Sequence, residues 1–83
     1  MPYYVYILQS EDGSYYVGQT NNLENRLKRH NGGHVRSTKN MKPWKLVYNE
    51  EYPTRIQAMK RERQIKARKS RIYIEKLVIT SRA

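Results

Sequence analysis

The chain has 83 residues, no cysteine and a formal net charge of +10. That length predicts one domain over residues 1–83, near the lower size at which a single core stabilises itself. The lack of cysteine excludes disulfides and thiolate zinc sites and makes a reducing cytoplasm the expected setting. No apolar run is long enough for a membrane span, and the first residues lack a signal-peptide pattern, so no membrane partner is expected.

Mean hydropathy is −1.01, yet the apolar residues fall into periodic segments, which favours a folded domain over disorder. The charge is uneven. Residues 1–41 hold 5 basic and 3 acidic side chains, residues 42–83 hold 12 and 4. Such a surplus suits a polyanion. An anionic membrane surface fits less well, because no helix combines basic charge with an aromatic or leucine face for insertion.

Residues 3–9 alternate and are rich in Tyr, Val and Ile, so they read as a strand. Asp12-Gly13 marks a turn, and residues 14–18 return as a second strand. Asn21 or Asn22 caps a helix whose first turn holds Glu24 and whose Leu23 and Leu27 face the sheet. Asn31-Gly32-Gly33 stops it. Residues 34–43 read as a basic, polar loop. The third strand is residues 44–52, with Trp44, Leu46 and Tyr48 on one face and Lys45, Val47 and Asn49 on the other. Thr54 caps a helix with Ile56, Ala58, Met59 and Ile65 on its buried side. Ser70 caps a last helix holding Ile72, Ile74, Leu77 and Val78. The expected fold is α+β: a small three-stranded antiparallel sheet flanked by helices, in the order β-β-α-β-α-α.

The tyrosines raise the question of function. Residues two apart on a strand share a face, so Tyr4 and Tyr6 point one way, Tyr16 can join them, and Tyr3 and Tyr15 lie opposite. As plain fillers they would pack their rings and wet their hydroxyls. Gly18 lets a backbone or ligand approach closely. Gln19, Thr20 and the helix start behind them offer donors suited to a phosphate. Arg26 and His30 form an i, i+4 pair near the core edge, with Lys28 and Arg29 pointing outward. Residues 59–71 hold seven basic side chains, among them Lys60, Arg61, Arg63 and Lys66, and one acid, Glu62. Glu62 falls on the apolar side of its helix, where a charge must be paired or metal-bound. It is therefore either one half of an internal salt bridge or a carboxylate that holds a divalent cation against a phosphate.

Together these residues resemble the GIY-YIG nuclease superfamily, most closely its small, stand-alone bacterial branch. The first motif is similar to Tyr4-Val5-Tyr6, with Tyr4 where glycine is usual, and the second to Tyr16-Val17-Gly18. The helix arginine of the family matches Arg26, the position one turn later is His30, and the metal-binding glutamate matches Glu62. The resemblance runs over nearly the whole chain.

The resemblance implies a metal-dependent endonuclease that hydrolyses phosphodiester bonds in DNA, with DNA repair as its setting. It implies Mg²⁺ or Mn²⁺ on Glu62, Tyr6 or Tyr16 as general base or water-orienting group, and Arg26 stabilising charge on the phosphate, with His30 beside them. Gly18, Gln19, Thr20, Lys28, Arg29, Lys60, Arg61, Arg63 and Lys66 are the expected nucleic-acid contacts, DNA before RNA. Selectivity for sequence should be weak, since phosphate contacts carry no base information. A lysine that follows the motif glycine in some repair members is Gln19 here, and no asparagine occurs after Asn49. Those departures keep open a non-catalytic nucleic-acid-binding module with a nuclease-like fold. The sequence is silent on oligomeric state.

Overall fold

The computed structural model describes residues 2–33, 35 and 43–81. Six elements follow in order: β1 (Tyr3–Ser10), β2 (Tyr15–Thr20), α1 (Leu23–Asn31), β3 (Trp44–Tyr52), α2 (Arg55–Ala67) and α3 (Arg71–Ser81). The strands form one antiparallel sheet in the order β2-β1-β3. This is the α+β order read from the sequence. Apart from Val35 and Pro43, the loop expected at 34–43 lies outside the described residues.

Local chemistry sets the element ends. Gly13 sits at φ +89°, a conformation that costs glycine nothing, and its N–H donates to the Ser10 carbonyl at 3.0 Å. The Asp12 carboxylate accepts from the Ser14 N–H at 3.0 Å and from the Ser10 hydroxyl. Asn22 caps α1 by accepting from the Asn25 N–H, and Thr54 caps α2 by accepting from the Gln57 N–H. Ser70 does the same for α3 through the Tyr73 N–H at 3.2 Å. At the far end of α1, Asn31 grips the Trp44 backbone twice: Oδ1 accepts from its N–H at 2.5 Å and Nδ2 donates to its carbonyl at 3.1 Å.

The sheet buries a different cluster on each face. Val5, Ile7 and Val17 pack with Ala58 and Ile65 of α2, and Tyr3, Tyr15, Tyr48, Tyr52, Tyr73, Ile74 and Leu77 surround them. Tyr6, Leu8 and Trp44 form the other cluster, closed by Tyr16, Leu23, Leu27 and Leu46. Strict alternation along β3 would put Trp44, Leu46 and Tyr48 together. They separate because the register slips between Ile7 and Leu8: Ile7 pairs with Tyr48, but Leu8 pairs with Leu46. Val47 is the extra residue, and a bulge of this kind reverses the facing of everything beyond it.

Ile56, expected on the buried side of α2, is 67% exposed, and Ile72 of α3 is 66% exposed. Ala58 and Ile65, seven apart, define the buried stripe of α2. Ile56 is two residues from Ala58, about 200° round the helix. The same offset separates Ile72 from Ile74.

On the α2 side, Glu50 is the hub of a polar network. Arg61 donates to both its oxygens, at 2.9 and 3.1 Å, and Tyr52 donates at 2.6 Å. Tyr48 donates to it as well, and Arg61 reaches the Tyr73 hydroxyl at 3.2 Å. Burial pushes the Glu50 carboxyl up, but Arg61 and the two hydroxyls outweigh it and hold the group below the ordinary carboxylate range. A bidentate arginine–carboxylate pair of this type fixes α2 on β3.

Candidate active site

The first two strands carry Tyr6 and Gly18 directly opposite each other. Both are buried, and the Tyr6 ring lies across the glycine. A methyl group on Gly18 would meet Tyr6 Oη at 2.6 Å and Cζ at 2.7 Å. The glycine expected to admit a ligand instead admits this ring, an aromatic covering a strand glycine from the neighbouring strand.

Placed there, the Tyr6 hydroxyl faces α1. His30 Nε2 lies 3.0 Å from it, and Arg26 Nε donates to it at 3.3 Å. One turn of helix separates Arg26 from His30, so a single phenol meets both. Tyr16 completes the group, with its ring centroid 6.2 Å from that of Tyr6 and 4.6 Å from that of His30. Trp44 closes the far side, edge-on to both Tyr16 and His30.

The electrostatics follow from burial. Tyr6 is 1% exposed, and desolvation pushes its phenol up to about 12 despite the Arg26 hydrogen bond; the charges of Tyr16 and Glu62 add to the rise. His30 is fully buried, and desolvation together with the Arg26 and Arg29 charges pushes it down to about 4. It is therefore neutral at pH 7. The Arg26 N–H must donate, so the Tyr6 oxygen accepts there; in the tautomer that leaves His30 Nε2 without a proton, the Tyr6 proton is directed at that nitrogen. Arg26 is held above its ordinary value, chiefly by the Tyr6 hydrogen bond, with Tyr16 contributing.

Tyr6, Tyr16, Arg26 and His30 are thus in one contact group. Glu62, on α2, bears on it through its charge. Its carboxylate is 20% exposed and accepts from Lys66 Nζ at 2.7 Å. Lys66 is spent on that pair, and Lys28 makes a 3.5 Å pair with Glu24. Arg29, Lys60 and Arg63 are exposed. Arg61 is not brought to this group, because its guanidinium is committed to Glu50 and Tyr73 on the other face of the sheet.

Beside the tyrosines, where β2 runs into α1, lies a cleft of about 290 Å³. Gln19, Thr20 and Asn25 line it with Arg26, Arg29 and Arg55. Arg55 escapes notice in the sequence, since it precedes the basic run of residues 59–71. The available signal is its place seven residues before Glu62, two turns along one helix face.

Among the described residues no group of three or more His, Cys, Asp and Glu could hold an ion. A lone carboxylate does not suit zinc, which takes three or four protein ligands. It does suit Mg²⁺, which keeps several waters and commonly binds through one or two carboxylates and a substrate phosphate.

The family model of the GIY-YIG catalytic domain matches residues 2–76. The chain belongs to the GIY-YIG family. This is a nuclease family, so nucleic acid is the class of partner implied. A UPF0213 protein of Bacillus pumilus is 38% identical over 85 residues, which span 98% of this chain and 87% of that protein. UPF0213 protein CPE1444 of Clostridium perfringens is 48% identical over 64 residues, 76% of this chain and 69% of its own. The solution NMR structure of UPF0213 protein BH0048 from Bacillus halodurans superposes with a TM-score of 0.61 at 37% identity, covering 96% of this chain and 85% of that one. No helix among the described residues is long and apolar enough to cross a membrane.

Proposed function

We propose that this protein is a metal-dependent endonuclease that hydrolyses phosphodiester bonds in DNA, with weak sequence selectivity and a place in repair. The observation that carries the reading is the meeting of Arg26 and His30 on the Tyr6 hydroxyl. Arg26 donates to the scissile phosphate and stabilises the negative charge that builds on it. Tyr16, half-buried beside them, orients the attacking water. Tyr6 takes the water's proton on its remaining lone pair as it passes its own to His30 Nε2; the water oxygen bonds to phosphorus while the P–O bond to the leaving nucleotide breaks, and the released alkoxide takes a proton from solvent. At about 4, His30 is a poor acceptor in the free protein. A bound phosphate offsets the Arg26 and Arg29 charges that depress it, so substrate itself raises its basicity. Glu62 would hold Mg²⁺ or Mn²⁺, which when bound supplies Lewis-acid polarisation of the phosphate.

One observation favours a second reading, a nucleic-acid-binding module that does not cut. Tyr6 at about 12 and His30 at about 4 both resist proton movement at neutral pH. The decisive experiment incubates the protein with nicked, branched, single-stranded and plasmid DNA, and with RNA, in Mg²⁺ or Mn²⁺. Cleavage is expected on DNA, with Tyr6→Phe and Glu62→Gln slower by about 10²–10³. Cleavage of nothing leaves the binding module; Glu62→Gln cutting like wild type overturns the metal-holding role of Glu62.

A further inference from the structure

Charge partners separate the arginines into two kinds. Arg61 and Arg71 are matched to Glu50 and Glu75. Among the described residues, Arg26, Arg29, Arg55, Arg63 and Arg68 have no carboxylate within 4.0 Å, and the first three of them line one 290 Å³ cleft. The rest of the lining is neutral and hydrogen-bonding, with Gln19, Thr20 and Asn25 among it. Three unneutralised guanidiniums round one hollow repel each other unless an anion enters. Guanidinium forks match phosphate oxygens in geometry as well as charge.

We propose that this cleft is a second phosphate-binding subsite, which takes a phosphate of the nucleic-acid strand away from the bond being cut. Arg26 forms the wall between the two places: its Nε donates to Tyr6 while its side chain lines the cleft. Helix geometry sets the spacing. Arg55 and Glu62 lie on one face of α2, seven residues or about 10 Å apart. At 3.4 Å of rise per nucleotide of one strand, that is about three nucleotides. The strand therefore runs along α2 from Glu62 toward the N-terminal end of that helix. This assignment rests on the nuclease reading for its register, but the cleft's affinity for phosphate does not.

The test uses the full chain in EDTA, so that no cleavage is needed. Affinity for a short single-stranded oligonucleotide is measured against salt by fluorescence anisotropy, with 5′-hydroxyl and 5′-phosphate forms. Arg29→Ala/Arg55→Ala should flatten the log–log salt slope by about 0.7, the one phosphate of the subsite on a single strand. A 5′-phosphate advantage that the variant loses places a strand end in the cleft; equal affinities for the two forms place internal diesters there. Both residues are exposed, so the fold should tolerate the change. Lys45→Ala/Lys76→Ala removes two exposed charges outside the cleft and should leave the slope near wild type. An unchanged slope in the arginine variant, or an equal loss in the lysine one, overturns the subsite. Failure of wild type to cut any substrate, with the slope change intact, would overturn the hydrolysis and leave the subsite standing.

Discussion

Gly18→Ala is the sharpest perturbation, because it adds one carbon at the centre of the site. The new Cβ would lie 2.6 Å from Tyr6 Oη, 2.7 Å from Cζ and 3.1 Å from Tyr16 Cε1. Relief to an ordinary contact of about 3.4 Å requires the phenol to move by about 0.8 Å. Tyr6 is 1% exposed, and its oxygen is bonded at 3.0 Å to His30 and 3.3 Å to Arg26. A shift of that size breaks at least one of these bonds. Overpacking of a tight interior costs about 1–3 kcal/mol. For a domain of this length that lowers Tm by roughly 5–20 °C. Thermal unfolding by circular dichroism reads the loss. NMR titration of the His30 ring should show its pKa moving up from about 4, because a displaced ring admits water. If the alanine variant melts within about 2 °C of wild type and His30 titrates as before, the close ring-on-glycine packing is wrong.

Three further outcomes are expected. His30 binds its proton more weakly folded than unfolded, at about 4 against 6.5, so its contribution to stability is present above pH 6.5 and is lost as pH falls toward 4; urea midpoints should decline across that window, and His30→Gln should flatten the decline. Single-stranded DNA added in EDTA should raise the His30 pKa in the same NMR titration, since phosphate offsets the Arg26 and Arg29 charges; a pKa that stays put would remove the substrate-assisted step. Glu50→Gln weakens the bonds from Arg61, Tyr48 and Tyr52 and should destabilise by about 1.5–3 kcal/mol in urea unfolding, with the wild-type network losing its strength only at acid pH, where the depressed Glu50 carboxyl finally protonates.

Much of this was legible in the sequence, for identifiable reasons. Caps at Asn22, Thr54 and Ser70 and the turn at Asp12-Gly13 are local chemistry, and local chemistry reads directly. The two tyrosine faces follow from strand alternation, and Tyr6 with Tyr16 separates from Tyr3 with Tyr15 as that rule requires. What stayed hidden depends on register. The bulge at Val47 leaves no mark in the alternation of residues 44–52, yet it sends Tyr48 and Glu50 to the face away from Trp44. The partner of Arg61 was hidden for the same reason. Within a run of seven basic residues nothing distinguishes it, and only the facing of Glu50 across the bulge shows that it is a strut. Gly18 was read for its freedom, but its role is set by Tyr6 one strand away.

The same bulge explains how so small a sheet can be both held together and left open for chemistry. A regular β3 would present one row of alternate residues to one face. With Val47 inserted, the Trp44 end of the strand supports α1, where Trp44 backs Tyr16 and His30. The Tyr52 end turns its hydroxyls and Glu50 toward Arg61. The arginine that anchors α2 and the arginine that meets Tyr6 therefore sit on opposite faces, each fixed by its own partners. Because the anchor uses a carboxylate and the site arginine uses a neutral phenol, Arg26 keeps its charge unmatched and ready for an anion. That asymmetry follows from where seven acidic side chains fall among seventeen basic ones, and it leaves one unmatched guanidinium, Arg26, beside the tyrosines.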